Sequence, residues 1–254
     1  MTRKTGRNLR IASRALLAAA LVVAAWGAIS LARDWLSSRR YDELAGQGLT
    51  LPLDLEDGPR ISWDTLREIN GDVVAWVRVD GTAVDSPVVR QDEGDLDRWL
   101  HYDFFGEQSK LGCPFLDSRC DPDYGAQLVF GHHFAGTDWV FSDLQHAHEQ
   151  ERFNEIGDMW WSTPSGGNVR LTPLCSMRVD EDYTPIQRFD MYTSEMRTWL
   201  SELCGQASAR AEGWEGLAAD AEDAVTLVTC SEDAPRRPWR TLVTFVRAEE
   251  RGDA

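Results

Sequence analysis

The chain has 254 residues, 43% of them hydrophobic and 10% aromatic, with 11 Trp. That is enough apolar surface for a core, which argues against wholesale disorder, and the length fits one domain with extensions or two small ones. The net charge of −16 is uneven: residues 1–40 carry eight Lys/Arg against one acid, Asp34, leaving the rest at −23. A domain that acidic repels phosphate backbones and argues against a nucleic-acid partner.

The N-terminus opens on a basic stretch, residues 1–14, followed by 18 uncharged residues from Ala15 to Ala32. This run is long enough to cross a bilayer, and the basic flank places its N-terminal end in the cytoplasm and exports the remainder. An uncleaved single-pass anchor is the favoured reading. A cleaved signal peptide is the rival, with Ala28-Ile29-Ser30 as its small-x-small site. The exported part holds five cysteines, Cys113, Cys120, Cys175, Cys204 and Cys230. Export permits disulfides, an odd count leaves a free thiol, and the absence of a CxxC pair argues against a zinc site of ordinary spacing. No metal or other cofactor is expected.

A polar, helix-prone stretch over 33–45 follows, then a Gly/Pro-containing linker to Gly58-Pro59. Ser62 to Glu68 predicts a short helix with Ser62 as N-cap. Strands are predicted over 73–79, 84–89, 113–116, 127–130, 168–174, 178–179, 225–230 and 240–247, with Pro87 marking an edge or a bulge. A turn of helix is expected after Trp139. Residues 192–211 form an amphipathic pattern, with Met196, Trp199, Leu200 and Leu203 on one face and Thr193 as candidate N-cap. Many short strands with one helical insertion predict a mostly β chain built as a closed barrel.

Three residues carry candidate chemistry. Cys230 ends a strand, nine loop residues follow, and Arg240 opens the next strand. Antiparallel pairing would set the two opposite each other, where a guanidinium favours a thiolate and donates to an oxyanion. His132 follows Gly131 at another strand end, so a barrel can bring it to the same rim; a Cys/His pair meets in space and not in sequence. His101, His133, His146 and His148 are the other histidines, and His132 is preferred to His133 because it directly follows the turn glycine.

Val129-Phe130-Gly131-His132, the strand end Leu227-Val228-Thr229-Cys230 and the following Arg240, at gaps of 98 and 10 residues, resemble the signature of the sortases. Asn70 to Val77, Ser86-Pro87-Val88-Val89, Gly112 to Asp117 and Phe141 to Leu144 resemble further motifs of that family, in order, over residues 63–247. The helical lead-in and the helix before the Cys strand are similar to class B. The chain departs from the pattern at Ser86, where a Tyr is usual, and at Asp95-Leu96, where an Asp-Asn pair is usual.

The resemblance implies a closed sortase-type β-barrel with N-terminal helices and a helical insertion before the catalytic Cys strand. It implies a cysteine transpeptidase with His132, Cys230 and Arg240 as catalytic residues, and Thr229, Leu96 and Tyr183 against the substrate. The partners would be secreted proteins bearing a C-terminal LPxTG- or NPxTN-like sorting signal and an amine acceptor from a peptidoglycan precursor or a pilin. The corresponding division is a cytoplasmic segment 1–14, an anchor 15–32, a lead-in and linker 33–61 and an extracellular catalytic domain 62–254. If Cys230 stays free, Cys113 could pair with Cys120 and Cys175 with Cys204. A papain-like protease is disfavoured, because there the Cys precedes the His. A non-catalytic binding module with a degenerate site remains the alternative.

Overall fold

The computed structural model of the chain describes residues 2–48, 58–134, 137–230 and 239–248. A single helix, α1 (Thr2–Gly48), contains both the apolar run and the polar stretch after it. Its 47 residues extend about 70 Å at 1.5 Å per residue. Leu16, Leu21, Val23 and Trp26 are exposed, as in a helix apolar on every side. Beyond residue 33 one stripe is covered among the described residues. Ser37, Tyr41 and Leu44, at helical spacing, lie against the folded domain.

Helix α2 (Trp63–Ile69) follows where expected, although Ser62 makes no side-chain capping bond. Strands β1 (Val73–Val79) and β2 (Asp85–Arg90) form an antiparallel pair. Ala75, Val77 and Val79 point into the barrel and Trp76 alternates outward, while a register shift between Val73 and Ala75 turns Val73 outward as well. An extra residue in a ladder exchanges the faces in this way. Pro87 stands opposite Trp76 of β1, and the other neighbour of β2 pairs only at Val89 and Arg90, so the missing N–H of Pro87 breaks no ladder there.

Helix α3 (Arg98–His101) precedes the two-residue β3 (Phe115–Leu116) and β4 (Ala126–Phe130). A 3-10 turn at Ser142–Leu144 and α4 (Gln150–Phe153) supply the helical turns expected after Trp139. Strand β5 (Met159–Thr163) has no counterpart among the predicted strands. The two segments predicted over 168–179 are one strand, β6 (Gly167–Asp180). The insertion contains α5 (Thr193–Gln206), which is shorter than the pattern over 192–211: Ala209 and Arg210 form strand β7 on β6. The helix is capped by Tyr192, whose N–H donates to Glu195, so Thr193 is its first helical residue. Helix α6 (Trp214–Asp220) leads into β8 (Ala221–Cys230), and β9 (Trp239–Ala248) closes the described chain.

The sheet order is β5-β1-β2-β3-β4-β8-β9-β6, closed by β6 on β5, with β7 added to β6. One edge of β6 pairs with β9; along the other, Gly167–Leu171 pairs with β5 and Cys175–Ser176 with β7. The principal core fills this barrel. A second core lies outside it, where Leu44, Leu66, Trp76, Trp99, Phe104 and Cys113 pack together.

Cys113, Cys120, Cys175 and Cys204 are free buried thiols, so neither expected disulfide is present. Cys113 belongs to the outer core and Cys120 to the barrel core, which separates that pair. Cys175 and Cys204 do meet in the barrel core, as two thiols in hydrogen-bonding contact.

At the end of β4, a Cβ on Gly131 would lie 2.7 Å from Cε2 of the buried Phe141 ring. Gly131→Ala is therefore expected to destabilise the fold by about 1–3 kcal/mol, the usual penalty for overpacking, read as a lower denaturation midpoint with an unchanged slope.

Candidate functional site

Strand pairing brings the predicted catalytic residues to one rim. β4 and β8 run parallel, with Phe130 beside Val228. Gly131 N–H continues this ladder, donating to Val228 O at 3.0 Å. His132 and Cys230 each lie two residues beyond that register pair, so both fall at the same end of neighbouring strands. β9 returns antiparallel to β8 and sets Arg240 opposite Cys230. Neighbouring strands are about 4.8 Å apart, so backbone pairing alone gathers the three positions.

The His132 ring is held from several sides. Its Nε2 lies 3.0 Å from Leu100 O, its backbone O accepts from Phe141 N–H at 3.1 Å, and Gly112 packs on its Cδ2 edge. A carbonyl only accepts, so Nε2 carries the proton and Nδ1 is the nitrogen left for proton traffic. Burial lowers the pKa of His132 below the ordinary histidine value; Leu100 O opposes this, and His101 and Arg240 add to it. Desolvation thus favours the neutral imidazole.

The Arg240 guanidinium is half-buried and pairs with Glu181 at 3.1 Å through Nη2, while Nη1 donates to Trp239 O. Sequence reasoning missed Glu181. It follows the end of β6, and Val179 is in register with Arg240 on β9, so Glu181 reaches the guanidinium only through a long-range strand pairing.

His132, Glu181 and Arg240 line a groove of about 750 Å³. Phe115 and Phe130, stacked at 5.3 Å between centroids, contribute apolar surface. Gln91, Leu96, Asp97 and the Asp117–Arg119 pair line it farther along, the pair joined at 2.8 and 2.7 Å. Of the substrate-facing residues expected from the sequence, Leu96 lines the groove and is exposed, and Thr229 lines it and is buried. Thr229 Oγ1 is buried without a hydrogen-bond partner among the described residues. Tyr183 is not among the lining residues; its hydroxyl donates to Gln206 at 3.1 Å.

Cys113, Cys120 and Cys175 are poor nucleophiles. Burial pushes Cys120 up to about 12 and raises Cys113 as well, while the Cys204 thiol and burial raise Cys175. A thiol that resists ionisation neither attacks nor binds metal readily. Among the described residues no group of three or more His, Cys, Asp or Glu is placed to hold a metal ion.

No protein-family model matches the chain. A sortase B of Staphylococcus aureus is 28% identical over 107 residues, spanning 41% of this chain and 43% of that relative, so the match covers less than half of the curated relative's length. Solved structures match over more of the chain. The sortase B of Clostridium perfringens, 24% identical, covers 73% of this chain and 98% of its own at a TM-score of 0.63. A Staphylococcus aureus sortase B–substrate complex, 19% identical, covers 84% and 96% at a TM-score of 0.70. A Streptococcus pyogenes class B sortase involved in pilus biogenesis, 23% identical, covers 73% and 97% at a TM-score of 0.56. The chain has the class B sortase fold, and the family it resembles, in fold and in sequence, is sortase B-like.

Proposed function

We propose that the chain is a cysteine transpeptidase that cuts a C-terminal sorting signal, LPxTG- or NPxTN-like, at its Thr and joins the shortened protein to an amine. The observation that carries this reading is the backbone register Phe130–Val228 and Cys230–Arg240, by which positions 132, 230 and 240 share one rim of the barrel, beside the groove that His132 and Arg240 line. The long apolar stretch of α1 is compatible with a single membrane span, which would hold the barrel on the outer surface of the cell.

In the proposed reaction the Cys230 thiolate attacks the carbonyl carbon of the signal's Thr. The developing oxyanion accepts hydrogen bonds from Arg240. The carbon–nitrogen bond breaks, and the leaving amine takes a proton from Nδ1 of protonated His132, which leaves a thioester on Cys230. An acceptor amine, from a peptidoglycan precursor or a pilin, then attacks the thioester. Its proton passes to His132 and the Cys230 thiolate leaves. Glu181 holds the guanidinium toward the groove in the resting state. The hydroxyl of Thr229, without a partner among the described residues, supports a role as donor or acceptor to the bound peptide's backbone.

Incubating the full chain in detergent with LPxTG- and NPxTN-type peptides and an amine should give a thioacyl adduct on Cys230, seen by mass spectrometry and absent from Cys230→Ala. A folded protein that forms no adduct with any peptide, and whose Cys230 also resists alkylation, would point to a binding module instead.

Thr229→Val keeps the side-chain shape and removes a buried hydroxyl that has no partner among the described residues. Thermal stability should be unchanged or slightly higher, while kcat/KM for the signal peptide drops about tenfold, the value of one net hydrogen bond of about 1.4 kcal/mol.

The lowered pKa of His132 has a definite sign. As pH falls below about 6.5, the unfolded chain takes up a proton that the buried native imidazole resists, so stability falls until the lower native value is passed. His132→Gln should remove this part of the pH dependence in a comparison of denaturation midpoints from pH 7.5 to 5. Equal slopes for the two proteins would contradict the assignment.

A further inference from the structure

Between α1 and His132 lies one continuous set of contacts that the proposed chemistry does not use. The Tyr41 hydroxyl donates to Gly112 O at 3.0 Å and accepts from Phe104 N–H at 2.9 Å. One turn earlier, Ser37 Oγ donates to Asp103 Oδ2 at 2.8 Å. The other oxygen of Asp103 accepts from the N–H groups of Phe105 and Glu107, both at 3.0 Å. On the outer flank Arg40 pairs with Glu107 at 2.9 Å. Helix α1 therefore grips residues 103–112 by three side chains on one face.

The far side of that segment touches the histidine. Gly112 has a φ of +61°, and a Cβ there would lie 2.9 Å from His132 Cδ2 and would also meet Trp99 O. The next residue, Cys113, donates its N–H to Trp99 O at 2.9 Å and so binds the segment to α3. Leu100, in α3, supplies the carbonyl to Nε2. The imidazole thus rests on Gly112 and on the end of α3, and Tyr41 holds Gly112 from behind.

We propose that Tyr41 is a positioning residue for His132, and that the docked half of α1 is accordingly part of the active unit. This role rests on the reading of His132 as the proton-transfer group. Without the Tyr41 hydroxyl, Phe104 N–H and Gly112 O lose their buried partner, and the wall on which the ring sits can move. The groups whose charge the ring senses, His101 and Arg240, are not the hydrogen-bond partners of Tyr41, which are Gly112 and Phe104, so an altered ring environment would report the wall itself.

The test uses the full chain in detergent micelles, comparing wild type with Tyr41→Phe, Ser37→Ala and, as control, Tyr192→Phe at the exposed N-cap of α5. Two quantities are read: the His132 titration by NMR of ring-labelled histidine, and kcat and KM with a signal peptide. Small displacements of a reacting group cost about ten- to a hundredfold in rate, so Tyr41→Phe should lower kcat by about tenfold with KM little changed. It should also move the His132 titration, with Ser37→Ala doing the same to a smaller extent and the control doing neither. If Tyr41→Phe lowers the melting temperature but leaves the titration and kcat at wild-type values, Tyr41 is structural only and the proposal fails. Should Tyr41→Phe not fold, Ser37→Ala decides alone: a shifted titration upholds the role, and a wild-type one overturns it. If wild type turns over no peptide while Tyr41→Phe still shifts the titration, the positioning stands and the transpeptidase reading is what falls.

Discussion

The parallel pairing of β4 with β8 is the constraint on which the site depends. A parallel pair cannot be joined by a tight turn; the chain must leave the sheet and return. Here 90 residues separate Phe130 from Ala221, and they hold β5, β6 and the helical insertion. In return, the two strands end at the same rim, which an antiparallel pair joined there by a turn would reach from opposite directions. The antiparallel return of β9 then adds Arg240 with no further long-range requirement. A slip of one residue in β4 would turn His132 to the other face of the sheet. Gly131, with its ladder bond to Val228 and its close approach to Phe141, guards against that slip.

The second theme is control of charge by burial. Three of the five thiols are held protonated by their surroundings, so the fold itself narrows the choice of nucleophile. The same desolvation works against protonation of His132, which favours the base and makes the acid form scarce at neutral pH. Arg240 is balanced by Glu181, so the groove end carries a paired cation instead of an isolated one. An unpaired, half-buried guanidinium would attract stray carboxylates in competition with a peptide carbonyl.

Much of this was legible in the chain. The β-rich run over 73–79, the alternation over 225–230, and the Gly131-His132 and Thr229-Cys230 strand ends are local signals, and the last two mark the strand ends that border the candidate groove. The closed, mostly β barrel with a helix before the Cys strand agrees with the observed sheet order. The misses have physical causes. β5 reads Met-Trp-Trp-Ser-Thr and is largely buried, so it shows little alternation. The pattern over 192–211 overruns α5 because Ala207, Ala209 and Ala211 continue a helical composition although Ala209 and Arg210 pair with β6. Glu181 and Tyr183 sit two residues apart in one turn, and only the β6–β9 register decides that the first reaches the groove. The Cys113–Cys120 disulfide is absent because closeness in sequence does not bring the two together in space: Cys113 lies in the outer core and Cys120 in the barrel core.

Helix α1 runs without a break from residue 2 to residue 48, and its docked stripe begins only a few residues after the apolar run ends. With that run set in a bilayer as proposed, the barrel has no tether to swing on. The groove's height and heading are then those of a shaft, and they change only when the whole shaft leans or spins. A helix whose apolar length exceeds the local hydrocarbon thickness leans to compensate. Bilayer thickness would therefore act as a mechanical setting for the angle at which the groove meets its partners.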